Sequence, residues 1–190
     1  MDLTEKIRTA LAAHKRVPMA PGPVPAAVLL PLFRKNGAYH ILFTKRTEHL
    51  NHHRGEVSFP GGVCHPEDGN TLQTALRETW EEVGIAPGDV DILGELDDFH
   101  SVYNYLVTPY VGIVAPEDYR FRINAAEIER LIEVPLAYLL RPDIFRVEKR
   151  NWRGQWHTVY FFNWHGDKIW GLTAAILKQF LDIISFPAGN

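Results

Sequence analysis

The chain holds one cysteine, Cys64, so no intrachain disulfide can form. A reducing compartment, the cytoplasm, is the expected setting. Cys64 reads as a small space-filling side chain rather than a redox group. Charge of neither sign dominates: 20 basic residues face 23 acidic ones, a net charge of −3. A general attraction to nucleic acid or to an anionic membrane is thereby excluded, and a polyanionic ligand would need local basic groups or a metal. No apolar run approaches the roughly 20 residues that span a bilayer. The opening MDLTEKIRTALAAHKR is interrupted by charge and does not read as a signal peptide. Repeats and low-complexity tracts are missing too.

What is present suits one globular domain of 190 residues, with 46% apolar and 23% charged residues. Leu3, Ile7, Ala10 and Leu11 recur at helical spacing and predict an amphipathic helix over 2–14. Val17 to Pro25 is too rich in proline for a helix. The expected division is therefore a helix and linker over 1–25 and a core domain over 26–190.

Residues 26–33 and 39–46 read as a hairpin around Lys35-Asn36-Gly37. Residues 47–57 read as a polar loop, and Pro60-Gly61-Gly62 as a turn. Thr71 to Val83 predicts a helix capped by Gly84. Strands are expected over 90–96 and 106–114, and the segment 127–133 is ambiguous. Pro135 opens a short helix, 145–152 and 156–164 form a second hairpin, and 172–184 form a final helix. This order predicts an α/β fold, a mixed sheet with helices on its faces.

The 71–83 helix carries the informative chemistry. Glu78, Glu81 and Glu82 fall within roughly 100° of arc, with Leu72, Leu76, Thr79 and Val83 on the far side. The expectation is three carboxylates presented together, opposite a buried stripe. Like charges so spaced repel, and Glu81 and Glu82 stand at the end of the helix where the macrodipole disfavours anions. Arg77 can pair with Glu81 at i,i+4, but one cation does not balance three anions. A hard divalent cation would remove the conflict.

Arg77-Glu78-Thr79-Trp80-Glu81-Glu82-Val83-Gly84-Ile85 resembles the helical half of the Nudix box. Upstream, Gly62 and Asp68 stand where the box has its glycine and first acid, with one extra residue before Arg77. That extra residue and the segment LFTKRTEHLNHHRGEVSFPGG (42–62) resemble the coenzyme A pyrophosphatase branch of the family. Asn51, Glu56 and His65 depart from the branch pattern. The resemblance covers about residues 26–185.

It implies a Nudix fold, an α/β/α sandwich, and hydrolysis of coenzyme A or its derivatives to 3′,5′-ADP and 4′-phosphopantetheine with Mg²⁺ or Mn²⁺. It implies Glu78 and Glu82 as metal ligands, and Glu81 as a further ligand or the general base. Arg77 orients the carboxylates, and Glu127 either supplies a distal carboxylate or the base, or is a solvated charge on a strand. Gly61 and Gly62 allow close backbone approach to metal or phosphate, and Arg46 and His53 either contact substrate phosphates or serve a structural role. Two alternatives stay open: another nucleoside diphosphate derivative as substrate (ADP-ribose, NADH or a nucleoside triphosphate), and a nucleotide-sensing domain without turnover. The expected partner is a small CoA-like nucleotide, with neither nucleic acid nor membrane. Oligomeric state is left open, a homo-oligomer included. His49, His52 and His65 match no common zinc spacing. Trp152, Trp156, Trp164 and Trp170 suit either adenine stacking or packing.

Overall fold

The computed structural model describes residues 2–20, 24–48, 55–152 and 154–185. The first helix, α1 (Leu3–Ala13), turns Ile7 and Leu11 into the main hydrophobic core. Strands β1 (Val24–Lys35) and β2 (Ala38–Arg46) form the expected hairpin. Its turn holds Asn36 at φ 50° and Gly37 at φ 75°. Both are left-handed, the geometry whose twist matches a two-residue hairpin loop.

Two short strands follow, β3 (Val57–Ser58) and β4 (Gly61–Val63). Gly61 and Gly62 are therefore strand residues paired with Val28 and Ala27, not a free turn. The reason is contact: a Cβ on Gly61 would lie 2.3 Å from the Ala27 carbonyl oxygen, so only glycine lets the two backbones approach. Next come α2 (Thr71–Val83), β5 (Val90–Glu95), β6 (Phe99–His100) and β7 (Tyr105–Val114). The ambiguous segment resolves as β8 (Ile128–Pro135), followed by α3 (Leu136–Leu139). The chain closes with β9 (Phe145–Trp152), β10 (Gln155–Trp164), β11 (Asp167–Trp170) and α4 (Gly171–Ser185).

The main sheet is mixed and eight-stranded, with β1 parallel to β7 at its centre and antiparallel to β2 and β4. Successive side chains of a strand point to opposite faces. On β1, Ala27 and Leu29 pack with Ala75 of α2, and Phe33 packs with Val83 and Ile85. Ala26, Leu30 and Leu32 face the other way, into the cluster that holds Ile7, Leu177 and Phe180 of α1 and α4. Helices on both faces explain why this strand reads as an unbroken apolar run. They also make the α/β/α sandwich. Burying a side chain such as Val83 or Ile85 contributes roughly 1.5–3 kcal/mol.

Pro31 sits in this central strand without penalty because it falls between the stretches paired with β4 (26–28) and β2 (32–35). The second sheet, β11-β10-β9, packs Phe145, Tyr160 and Phe162 onto the main core. Among the described residues no helix is long and apolar enough to cross a membrane.

Candidate active site

Four segments converge at one end of the sheet: the far end of β2, the strand β4, the C-terminal half of α2, and residues 122–127. Asn70 starts the helix by accepting a hydrogen bond from the Gln73 amide at 2.9 Å, the usual N-cap geometry. Gly84 ends it in the left-handed conformation at φ 72°. Beyond the cap, the Arg122 and Asn124 amides donate to the Val83 and Glu82 carbonyls, each at 2.9 Å. The segment leading to Glu127 is thereby held against the acidic end of α2.

The three glutamates differ in burial. Glu81 is half exposed, Glu78 is largely buried, and Glu82 is only 2% exposed. Geometry explains the ordering. One step along a helix turns about 100°, which carries Glu82 from Glu81 toward the sheet-facing side held by Thr79 and Val83. The expected common display of all three opposite the buried stripe is corrected accordingly: Glu82 points inward. Leu72 and Leu76 are only partly covered, and Thr74, Ala75, Thr79 and Val83 make the buried face.

Arginines neutralise the glutamates as they stand. Arg77 donates from Nη1 to Glu78 Oε1 at 2.8 Å and to Glu81 Oε2 at 3.0 Å. Its Nε and Nη2 grip the two oxygens of Asp68 at 2.7 and 2.9 Å, and Nη2 also reaches the Val63 carbonyl at 3.3 Å. Asp68 is buried and also accepts from the His65 amide and the Thr74 hydroxyl. This set, led by Arg77, holds the Asp68 carboxyl well below the usual carboxylate range. Glu82 takes Arg46 Nη1 on Oε1 at 3.1 Å and the Gly61 amide on Oε2 at 3.3 Å. Among the described residues two guanidiniums, not one, thus serve the glutamates. The pair Arg46–Glu82 and the anchor Asp68 were not read from the sequence. Asp68's place six residues after Gly62 was the one available signal for the anchor.

Charge is still in excess. Burial pushes the Glu82 carboxyl up to about 8, against the pull of Arg46, and the charges of Glu78 and Glu127 push the same way. Burial also raises Glu78, against Arg77, with Glu81 and Glu127 adding to the rise. Glu127 therefore stands within electrostatic reach of both. Its own Oε1 accepts from Asn124 Nδ2 at 3.2 Å, and its carbonyl accepts from the Thr47 amide at 2.9 Å. Gly62 lies beside this group. A Cβ there would fall 2.5–2.8 Å from the Glu78 carboxylate, so its missing side chain leaves the room that this carboxylate occupies against the backbone.

Among the described residues no three carboxylate, histidine or cysteine side chains yet converge closely enough to hold a metal. The donor set nevertheless fits a hard divalent cation. It offers carboxylate oxygens only, and two of its carboxylates, Glu78 and Glu82, have their charge disfavoured by burial and by each other. His53 lies outside the described residues, as do His49 and His52. His65 caps the turn that carries Asp68. Trp164 packs edge-on against Tyr138, Trp170 stacks on Phe161, and Trp156 is exposed, none against the glutamates.

The NUDIX domain model matches residues 23–159. The "Uncharacterized Nudix hydrolase NudL" of Photorhabdus laumondii subsp. laumondii is 43% identical over 154 residues, 81% of each chain. Its counterpart in Yersinia enterocolitica is 40% identical, over 81% of this chain and 78% of that protein. "Nudix hydrolase 15, mitochondrial" of Arabidopsis thaliana is 38% identical over 82% of this chain and 56% of its own length. Among solved structures, a MutT/nudix family protein from Enterococcus faecalis superposes with a TM-score of 0.52 at 15% identity, over 90% of this chain and 63% of that one. The Nudix hydrolase RenU of M. smegmatis gives 0.50 at 21% identity, over 61% and 73%. At these identities the two structures speak for the fold alone.

Proposed function

This chain belongs to the Nudix hydrolase family and is a pyrophosphohydrolase, and from that premise we propose that it cleaves the pyrophosphate linkage of coenzyme A or a CoA derivative, releasing 3′,5′-ADP and 4′-phosphopantetheine. The observation that carries the chemistry is the cluster of Glu78, Glu81, Glu82 and Glu127 within electrostatic reach of one another, with Glu78 packed against Gly62. CoA as substrate is supported by the 42–62 segment, whose described part brings Arg46 and the Gly61-Gly62 backbone to that cluster, while Lys45 faces Asp167.

A pyrophosphate resists attack because its anionic oxygens repel an incoming nucleophile. Bound Mg²⁺ or Mn²⁺ would screen those oxygens and acidify a water. In this reading Glu78 and Glu82, with Glu81, hold the cation. Arg77 is a positioning residue: fastened to Asp68, it fixes where the Glu78 and Glu81 oxygens stand. Glu81, the most exposed of the three, or Glu127 accepts the proton of the attacking water. Gly61 lends its amide to Glu82, and Gly62 lets the phosphate approach the backbone. Arg46 and His53 bind phosphate oxygens of the substrate.

The test is product identification after incubation with CoA and Mn²⁺, beside ADP-ribose and NADH. Release of 3′,5′-ADP and phosphopantetheine is expected. A preference for ADP-ribose or NADH by orders of magnitude would overturn the substrate and leave the reaction type standing.

A further inference from the structure

The two arginines that face the glutamates are held in different ways. Arg77 is fastened. Its Nε and Nη2 are fixed on buried Asp68, and its five contacts reach four separate groups. Arg46 stands at the irregular end of β2, where the pairing with β8 shifts register between Lys45 and Arg46. Among the described residues its guanidinium makes one contact, Nη1 to Glu82 Oε1 at 3.1 Å. Its Nε is buried with no acceptor, and so is the hydroxyl of the next residue, Thr47. A buried N–H without an acceptor is costly, and a cationic one calls for an anionic oxygen. Arg46 thus carries a buried Nε–H donor with no acceptor among the described residues, in a site whose proposed substrate is a chain of phosphate oxygens.

A dication on Glu82 would meet the Arg46 guanidinium at short range, and like charges in a poorly solvated site repel strongly. Arg77 cannot move aside without uncovering Asp68. Among the described residues Arg46 loses a single side-chain hydrogen bond by moving.

We propose that Arg46 is the releasable counter-ion of this site: it holds Glu82 until a divalent cation takes that carboxylate, and then turns its guanidinium to a diphosphate oxygen of the substrate. The inference rests on the metal assignment above and adds a coupling to it. Arg46 opposes cation binding in the resting protein and favours substrate once the cation is in place. Cation and diphosphate therefore bind cooperatively through this one side chain. Each state keeps Glu82 compensated, first by a guanidinium and then by a metal.

The experiment titrates Mn²⁺ alone into the wild-type chain, Arg46→Gln and Arg46→Lys, with free Mn²⁺ followed by electron paramagnetic resonance. It is run at pH 7 and at pH 8.5, so that proton competition at Glu82 is separated from competition by Arg46. ADP binding is then measured at saturating Mn²⁺. Arg46→Gln should bind Mn²⁺ about threefold or more tighter at pH 8.5, through loss of the opposing charge. It should bind ADP about tenfold or more weakly, through loss of a charged hydrogen bond. Arg46→Lys, which keeps the charge but not the fork, should hold Mn²⁺ as the wild type does and bind ADP several-fold more weakly. Circular dichroism checks that each variant is folded. If Arg46→Gln is unfolded, the lysine variant decides alone: an ADP affinity equal to wild type, or Mn²⁺ affinity changed several-fold, overturns the proposal. A folded Arg46→Gln with unchanged or weaker Mn²⁺ binding at pH 8.5, or with undiminished ADP binding, overturns it too. Failure of the wild type itself to bind Mn²⁺ would instead sink the metal assignment.

Discussion

Arg77 binds both oxygens of buried Asp68, at 2.7 and 2.9 Å, and with its remaining nitrogen joins Glu78 to Glu81. One guanidinium thus converts a loop aspartate into a positional constraint on two carboxylates of the neighbouring helix. Asp68→Asn keeps the shape but removes the charge and half of the fork. We expect a loss of about 1–3 kcal/mol in stability. A fall in kcat of about tenfold or more should accompany it, because Arg77 no longer fixes Glu78 and Glu81. Urea denaturation and steady-state kinetics check the two; unchanged kcat in a folded variant would remove Arg77's positioning role.

Glu82→Gln replaces an inward-facing carboxylate by an amide of the same size. Hydrolysis should be nearly abolished with the fold intact. The wild type should also gain thermal stability from saturating Mg²⁺ or Mn²⁺, about 2.7 kcal/mol at a hundredfold excess over Kd. The variant should lose most of that gain. Differential scanning fluorimetry with and without the ion measures it, and an equal gain in both proteins would contradict the assignment of Glu82.

Adjacent glycines should behave differently. In Gly61→Ala the new Cβ meets the Ala27 carbonyl of the central strand, which cannot move aside, and the residue has φ 154°. A loss of roughly 2–4 kcal/mol is expected. In Gly62→Ala the Cβ meets only the end of the Glu78 side chain, which can rotate. Stability should change little while kcat falls severalfold or more. Melting temperatures and rates on the pair test this; equal melting temperatures would refute the distinction.

Acid stability should depend on Asp98. Burial favours its neutral form, but the Arg16 guanidinium, the Thr108 hydroxyl and the Met19 amide outweigh that and hold its carboxyl below the usual range. The native state therefore binds its proton less readily than the unfolded chain. The stabilisation is present above about pH 4 and is lost as pH falls through the lower native value. Asp98→Asn should flatten that part of the decline. Urea midpoints between pH 7 and pH 3 measure it, and parallel curves for the two proteins would exclude Asp98 as a contributor.

Much of the fold was readable in order along the chain. The β1–β2 hairpin, α2 with its Gly84 cap, β7 and α4 fall where period and breakers place them. Each depends on residues a few positions apart. The short strands β3, β6 and β11 carry too few residues to show a period. The pairing of Gly61-Gly62 with β1 looked like a turn because a glycine pair signals backbone freedom whatever uses it.

By itself the sequence settled that one helix carries Glu78, Glu81 and Glu82 within a narrow arc beside Arg77, since 3.6-residue periodicity needs only local order. Only the tertiary structure decided that Glu82 faces inward, that Arg46 meets it, that Asp68 fastens Arg77, and that Glu127 comes within reach of the cluster. Arg46 and Glu82 stand 36 residues apart, and which charges meet across such a distance depends on how sheet and helices pack. Burial then sets the strength of each charge interaction, because it determines how much water screens the charges.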